Sequence, residues 1–114
     1  MKKNAMRQIF GEMIYGGVID DETRCIHWNS PLDIIAIKFS CCGQWYPCYD
    51  CHREAADHEA APWPQTERHV RAVLCGGCGH KLSIDEYLDC GSICPACGRR
   101  FNPGCARHYH LYFE

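Results

Sequence analysis

Four cysteines and two histidines fall between Cys41 and His58, most of them in the run Cys41-Cys42-Gly43-Gln44-Trp45-Tyr46-Pro47-Cys48-Tyr49-Asp50-Cys51-His52. Six such ligands are more than one tetrahedral metal can use. Cys48-x2-Cys51 has the spacing of a chelating turn that brings two thiolates onto one zinc, with Zn–S near ~2.3 Å. That pair is half of a four-coordinate site. Cys41, Cys42, His52 and His58 can supply a second, so the pair must draw its partners from elsewhere. The stretch reads as the crossing point of two zinc sites rather than as a cluster of buried cysteines.

Two further groups carry the same chemistry. Cys25-Ile26-His27-Trp28 places a thiol and an imidazole on one side of an extended segment, so both could reach one metal and fill the half-empty pair. Trp28 and Trp45 read as shields that keep water from zinc. Downstream, Cys75-Gly76-Gly77-Cys78-Gly79 and Cys94-Pro95-Ala96-Cys97-Gly98 are separated by 15 residues, within the range of a four-cysteine zinc ribbon. Each pair ends in a glycine that can turn left-handed and leave the backbone free to bond sulfur. This is the most specific signal in the chain.

The elements that must hold these ligands are short. Residues 1–11 carry no clear signal and read as a frayed terminus. Met13 to Ile19, broken by Gly16-Gly17, suits a hairpin or a bent strand. Ser30-Pro31-Leu32-Asp33 begins like a helix and predicts one turn, followed by a strand from Ile34 to Phe39 that delivers the chain to Cys41. Cys51 to Ala61 predicts a short helix that brings His52 and His58 back toward metal, ended by the candidate linker Ala61-Pro62-Trp63-Pro64. Val70 to Leu74 reads as a strand, and Ser83-x-x-Glu86 as a capping box opening a brief helix through Leu88. Cys105 to Phe113 alternates like a strand. No internal repeat or low-complexity segment is visible.

Composition agrees with metal as the staple. Of 114 residues 11 are cysteine, so much of the 46% hydrophobic content is thiol rather than core. A chain of this kind builds only small apolar clusters. Disulfides are the other staple, but the odd cysteine count, the CxxC pairs and the interleaved histidines favour reduced, metallated thiols. Glu12 and three glycines interrupt the apolar run from Ile9 to Ile19, so no secretory signal is expected and the expected location is cytoplasmic. No stretch is long enough to span a membrane. The net charge is −2. Loading three zincs onto nine thiolates would take it to about −5, a poor start for phosphate binding.

Cys25-x-His27-Trp28, Cys41-Cys42, Cys48-x2-Cys51-His52, His58 and the two later CxxC pairs together resemble the CHY-type zinc finger. The order of ligands matches across residues 25–97, and the whole chain resembles the small stand-alone prokaryotic members. Trp28 stands where the family's name places tyrosine, a change of packing and not of ligand. The resemblance implies a single domain over 1–114 of small, loop-rich, zinc-stabilised α+β class. An interleaved two-zinc module (12–61) would precede a zinc-ribbon half (68–114). It implies three Zn²⁺: Cys25, His27, Cys48 and Cys51 on the first, Cys41, Cys42, His52 and His58 on the second, and Cys75, Cys78, Cys94 and Cys97 on the third. Adjacent strand residues face opposite ways, so Cys41 and Cys42 share one ion only if the chain turns at Gly43. Otherwise they serve different ions. Eukaryotic relatives carry this domain beside a RING in ubiquitin ligases, or alone to assist assembly of cysteine-rich mitochondrial proteins. The residues after Cys97 are too few for a RING, so ligase activity is not implied.

Cys90, Cys105, His69, His80, His108 and His110 are left over, of which Cys105, His108, His110 and Cys90 are the candidates for any further site. They read as small buried hydrophobes and capping or solvent-facing rings, or as a fourth, weaker metal site; a redox role for Cys90 and Cys105 is a third option. Catalysis is not expected, because closed cysteine-rich sites leave no position for water, and Asp50, Asp57 and Asp85 read as turn and solvent-face residues. The function expected is that of a structural-zinc module that binds another protein. The alternatives are a thiol- or metal-handling helper for cysteine-rich clients, and a nucleic-acid-binding ribbon, which the charge disfavours.

Overall fold

A computed structural model describes residues 6–102 and 109–113. Its frame is a six-stranded sheet in the order β1-β2-β4-β3-β5-β6. The strands are β1 (Met6–Ile9), β2 (Glu12–Tyr15), β3 (Ile35–Lys38), β4 (Trp45–Tyr46), β5 (Val73–Cys75) and β6 (Lys81–Leu82). Antiparallel pairing of β3 with β5 joins the two ligand-bearing halves of the chain in one sheet.

Register decides which side chains face which core. Ile35 lies opposite Cys75, and Ile37 opposite both Val73 and Tyr46. This face carries the larger core, which also takes in Ile34, Phe39, Leu82, Ile84, Tyr87, Phe101, Tyr112 and Phe113. The intervening residues point the other way, as the two-residue period requires. Ala36 opposite Leu74, and Ile14 opposite Trp45, form with Ile9 a smaller second core. Trp45 thus serves the sheet rather than shielding metal, and Trp28 keeps 41% of its surface exposed.

Where sequence and structure differ, pairing or ligand geometry decides. Residues 6–9 are not a frayed end but an edge strand, turned into β2 through Phe10 and Gly11, both at positive φ. Only Ile9 of that strand is buried, so no apolar period announces it. The helix expected over 51–61 is α1, Tyr49–Ala55, and it stops six residues short. In a continuous helix His52 and His58 would lie about 240° apart and could not face one metal. Ala56 therefore turns extended, with ψ 154°. The capping box at Ser83 and Glu86 is present in full and opens α2, Ile84–Asp89. The terminal segment is not a strand where it is described: Tyr109–Tyr112 is a helical turn, α3. Tyr112 and Phe113 are both buried in the same core, which adjacent strand residues could not achieve.

The segment 61–64 is pinned at two points. Trp63 donates its indole Nε1–H to the Lys38 carbonyl at 2.7 Å and its backbone N–H to the Tyr112 carbonyl at 2.7 Å. Tyr112 in turn accepts the Tyr49 N–H on its hydroxyl at 2.8 Å, so the chain end is tied to the start of α1. Trp63→Phe keeps the ring and loses one hydrogen bond. It should cost about 0.5–1.5 kcal/mol and lower the thermal midpoint by a few degrees. The zinc count should be unchanged. A melt equal to wild type would show that the indole bond contributes nothing.

Candidate metal centres

The twelve expected ligands form three groups of four, with ligand atoms in each group within 4.8 Å of one another. The groups are Cys25/His27/Cys48/Cys51, Cys41/Cys42/His52/His58 and Cys75/Cys78/Cys94/Cys97. A tetrahedral zinc with Zn–S near ~2.3 Å and Zn–N near ~2.05 Å has edges of about 3.8 Å (S to S), 3.6 Å (S to N) and 3.4 Å (N to N). The Cys25–Cys48 sulfurs are 3.7 Å apart, and His27 Nδ1 lies 3.5 Å and 3.4 Å from those of Cys48 and Cys51. In the second group Cys41–Cys42 is 3.9 Å, Cys41–His52 3.2 Å and His52–His58 3.3 Å. In the third, Cys75–Cys97 is 3.9 Å and Cys78–Cys94 3.7 Å. A disulfide needs about 2.05 Å. The spacing fits metal.

Local hydrogen bonding explains how the backbone presents these atoms. The Cys75 N–H donates to the His80 carbonyl, and the Gly79 N–H returns to the Cys75 carbonyl. Cys94, Gly98 and Arg99 repeat the pattern, with Gly79 at φ 85° and Gly98 at φ 78°. The same two bonds recur in Phe39–Gln44: Phe39 N–H to the Gln44 carbonyl, and Gly43 N–H to the Phe39 carbonyl, with Gly43 at φ 69°. This is a third turn of the same build, with phenylalanine at the first cysteine's place and Cys42 at the second's. It is an internal repeat in hydrogen bonds that the sequence hides. It also turns the chain at Cys41-Cys42, so both thiols reach the second group. Phe39 stacks on the ring of His52, 4.4 Å between centroids and 14° between planes, and so orients a ligand instead of being one.

The first two groups meet in α1. Cys48 caps the helix, its sulfur accepting the Cys51 N–H at 3.3 Å. Cys51 then serves the first group and its neighbour His52 the second. Trp28 contributes its backbone N–H to Cys25 Sγ at 3.3 Å. Two carboxylates not recognised in the sequence fix histidine rings. Glu54 Oε2 lies 2.9 Å from His27 Nε2, so Nδ1 faces the cluster, and Asp57 Oδ1 lies 3.0 Å from His58 Nδ1, so Nε2 does. Such partners set the tautomer and raise ligand basicity. Asp57 faces solvent as expected, yet it also positions a ligand. A carboxylate three residues after one ligand (Cys51 to Glu54), or directly before another (Asp57 to His58), was the available signal.

Cys90 stays outside all three groups and donates its thiol to the Tyr87 carbonyl at 3.1 Å. Cys105, His108 and the His110 side chain lie outside the described residues. The third group is tied to the first through a loop. Arg99 pairs with Glu22 at 2.6 Å, and Gly76 packs so closely that a Cβ there would clash with the Glu22 carbonyl.

Comparison with known proteins follows the same ligands. The chain matches the family model of the CHY zinc finger over residues 25–109. The chain belongs to the CHY zinc finger family. It is 44% identical over 106 residues to Helper of Tim protein 13 of Saccharomyces cerevisiae, covering 89% of this chain and 90% of that one. It is 44% identical over 100 residues to the Kluyveromyces lactis protein of the same name, at 88% and 87% coverage. An uncharacterized protein of Schizosaccharomyces pombe is 38% identical over 101 residues, at 89% and 88%. These relatives are fungal, so the resemblance to prokaryotic members expected above is not supported. No solved structure matches the chain. CHY zinc fingers bind zinc, and each of the three groups could hold one ion.

Protonation of the metal-free clusters sets how acid acts on them. Hydrogen bonds from Cys48 and Cys51 hold the Cys25 thiol far below the ordinary range, to about 2. The same sharing pushes Cys48 up, and Cys51 to about 12, with burial adding to both. Burial raises Cys42, Cys75 and Cys78. Burial also works against a charged His27, but Glu54 and the Cys25 thiolate outweigh it and leave the ring above its ordinary 6.5. His52, by contrast, is lowered by burial and by His58. Zinc must therefore displace thiol protons from the clusters, and affinity falls as pH drops. His27 adds a competing proton near neutrality and His52 does not. Between about pH 7 and 6 the first site should lose affinity, since its raised thiols and His27 compete with zinc for protons there. A zinc titration followed by NMR at the two pH values checks this; a first-site affinity unchanged between them would contradict it.

The shared helix makes the first two sites interdependent. Cys48→Ser removes a first-site ligand and weakens the cap of α1, which also carries His52. Elemental analysis should fall from three zincs per chain toward one, with the amide signals of residues 75–97 retained. Two zincs remaining would show that the sites load separately.

Proposed function

We propose that this chain is a non-catalytic, zinc-scaffolded protein that binds a cysteine-rich client of the Tim type. The observation that carries the reading is saturation. Each group offers four protein ligand atoms, enough to fill a tetrahedral zinc at rest without a water, which supports a structural rather than a catalytic role. The names of two relatives, matched over 90% and 87% of their own length, point to Tim as the client, and the cysteine-rich character of such a client is what the family resemblance implies. Exposed apolar side chains offer a contact surface: Ile19 and Ile26 stand 46% and 60% exposed on the hairpin that delivers Cys25, and Trp28 follows it. The proposal requires a compartment that keeps the thiols reduced or metallated, and the cytosol expected from composition meets that need. A net charge of −2 before loading argues against phosphate backbones.

Calorimetry of the three-zinc protein with a reduced, purified small Tim protein tests the reading. Binding should be saturable and weakened at least several-fold by Ile26→Asp, with the zinc count unchanged. Absence of binding, or binding to RNA that fades with salt in its place, would overturn it.

A further inference from the structure

The three clusters are not equally enclosed. The first and third groups each bury two of their ligands or more, while the second buries only His52 and leaves His58 exposed. With two thiolates the second site is neutral when loaded, whereas the three thiolates of the first and the four of the third leave one and two negative charges. Its hold on a dication is therefore electrostatically the weakest. His58 also has the loosest seat. Among the described residues, no backbone–backbone hydrogen bond anchors residues 57–62. Cys97 is likewise exposed, but it sits in a glycine turn closed by the Cys94–Arg99 and Gly98–Cys94 backbone bonds.

A cleft of about 380 Å³ opens at this weak corner, lined by Tyr49, His52, Arg53, His58, Glu59 and Ala60. Two of the six are second-site ligands, and none belongs to another site. Arg53, which pairs with Asp50 at 3.0 Å, and Glu59 both line the cleft, so its rim carries both signs of charge and the approach rests on openness rather than on attraction.

We propose that the second site is an exchange site, through which zinc passes to and from an incoming thiolate entering this cleft. His58 is the ligand that lets go. Its Nε2 would take back its electron pair as the visiting thiolate donates one in its place, and transfer would be complete only once Cys41, Cys42 and His52 had each been replaced by a further donor in the same way. No electron is transferred, and the proton held between His58 Nδ1 and Asp57 stays where it is. The inference rests on the zinc-binding reading of the second cluster and not on the identity of any client.

The test begins with protein shown by elemental analysis to hold three zincs, chased with excess 4-(2-pyridylazo)resorcinol. One zinc in three should leave in a separate, faster phase. In the cobalt-loaded protein that phase should remove the sulfur charge-transfer absorption of two thiolates. A cysteine-containing peptide should accelerate it, and the serine counterpart should not. Loss of an outer hydrogen-bond partner typically weakens metal sites ~10- to 100-fold, so Asp57→Ala should speed the phase about ten-fold or more. His58→Cys should slow it while keeping three zincs. The proposal is overturned by release of all three ions together, by a first phase carrying four thiolates, by a rate indifferent to Asp57→Ala and to the cysteine peptide, or by a wild-type zinc count that leaves the second cluster empty. The client-binding reading survives the first three outcomes.

Discussion

Thiolates do not sit less than 4 Å apart without a cation between them. Cys25 and Cys48 are 3.7 Å apart in a buried setting, and so are Cys78 and Cys94 where the ribbon closes. Without metal, the first cluster can stabilise one charge only by protonating the neighbours, which is why Cys25 falls while Cys48 and Cys51 rise. Zinc replaces those protons and converts repulsion into coordination. Structural zinc contributes about 10–16 kcal/mol per site in finger peptides at neutral pH, against a net stability of about 5–15 kcal/mol for a whole domain. Each site is therefore comparable to everything else that holds the chain together. The short strands and two small cores position ligands; they do not replace the metal.

The sites are linked as tightly as they are separate. A helix of seven residues, α1, hands one neighbour to each of the first two clusters. The β3–β5 ladder places Ile35 opposite Cys75, so the strand leading to the second cluster is registered against the one leading to the third. Thr23, buried and at φ 68°, is held in that unfavourable conformation between the Glu22–Arg99 pair and the Gly76 turn. Strain of this kind persists only where the surroundings over-determine the backbone. Here the surroundings are the knuckle of the third site, which thereby sets the loop that leads to Cys25.

Ligands were legible because metal chemistry writes itself in spacing. CxxC pairs need one short turn, and that turn is contained in five residues. The capping box at Ser83 was legible for the same reason, since all its partners lie within one turn. What could not be read depends on contacts far apart in sequence. β1 exists only because β2 pairs with it, α1 ends where His58 must leave the helix, and α3 forms because Tyr112 and Phe113 share a core. Glu54 and Asp57 were missed because a carboxylate on a short helix and another in a loop look like any solvent-facing acid until the ring beside them is placed.

Phe39 shows how an alteration at one position can change the character of a site. Its turn has the backbone bonds of the two ribbon turns, yet it offers only Cys42 at the corresponding corner, and the adjacent Cys41 must serve as the second thiol. The remaining two corners fall to histidines six residues apart, one stacked against the Phe39 ring and one in a segment without a backbone–backbone hydrogen bond among the described residues. A cysteine at position 39 would point toward a closed, negatively charged thiolate site like the third. The aromatic instead lends rigidity to His52 and removes a charge. The difference between this turn and the two ribbon turns thus lies in a ring that touches no metal.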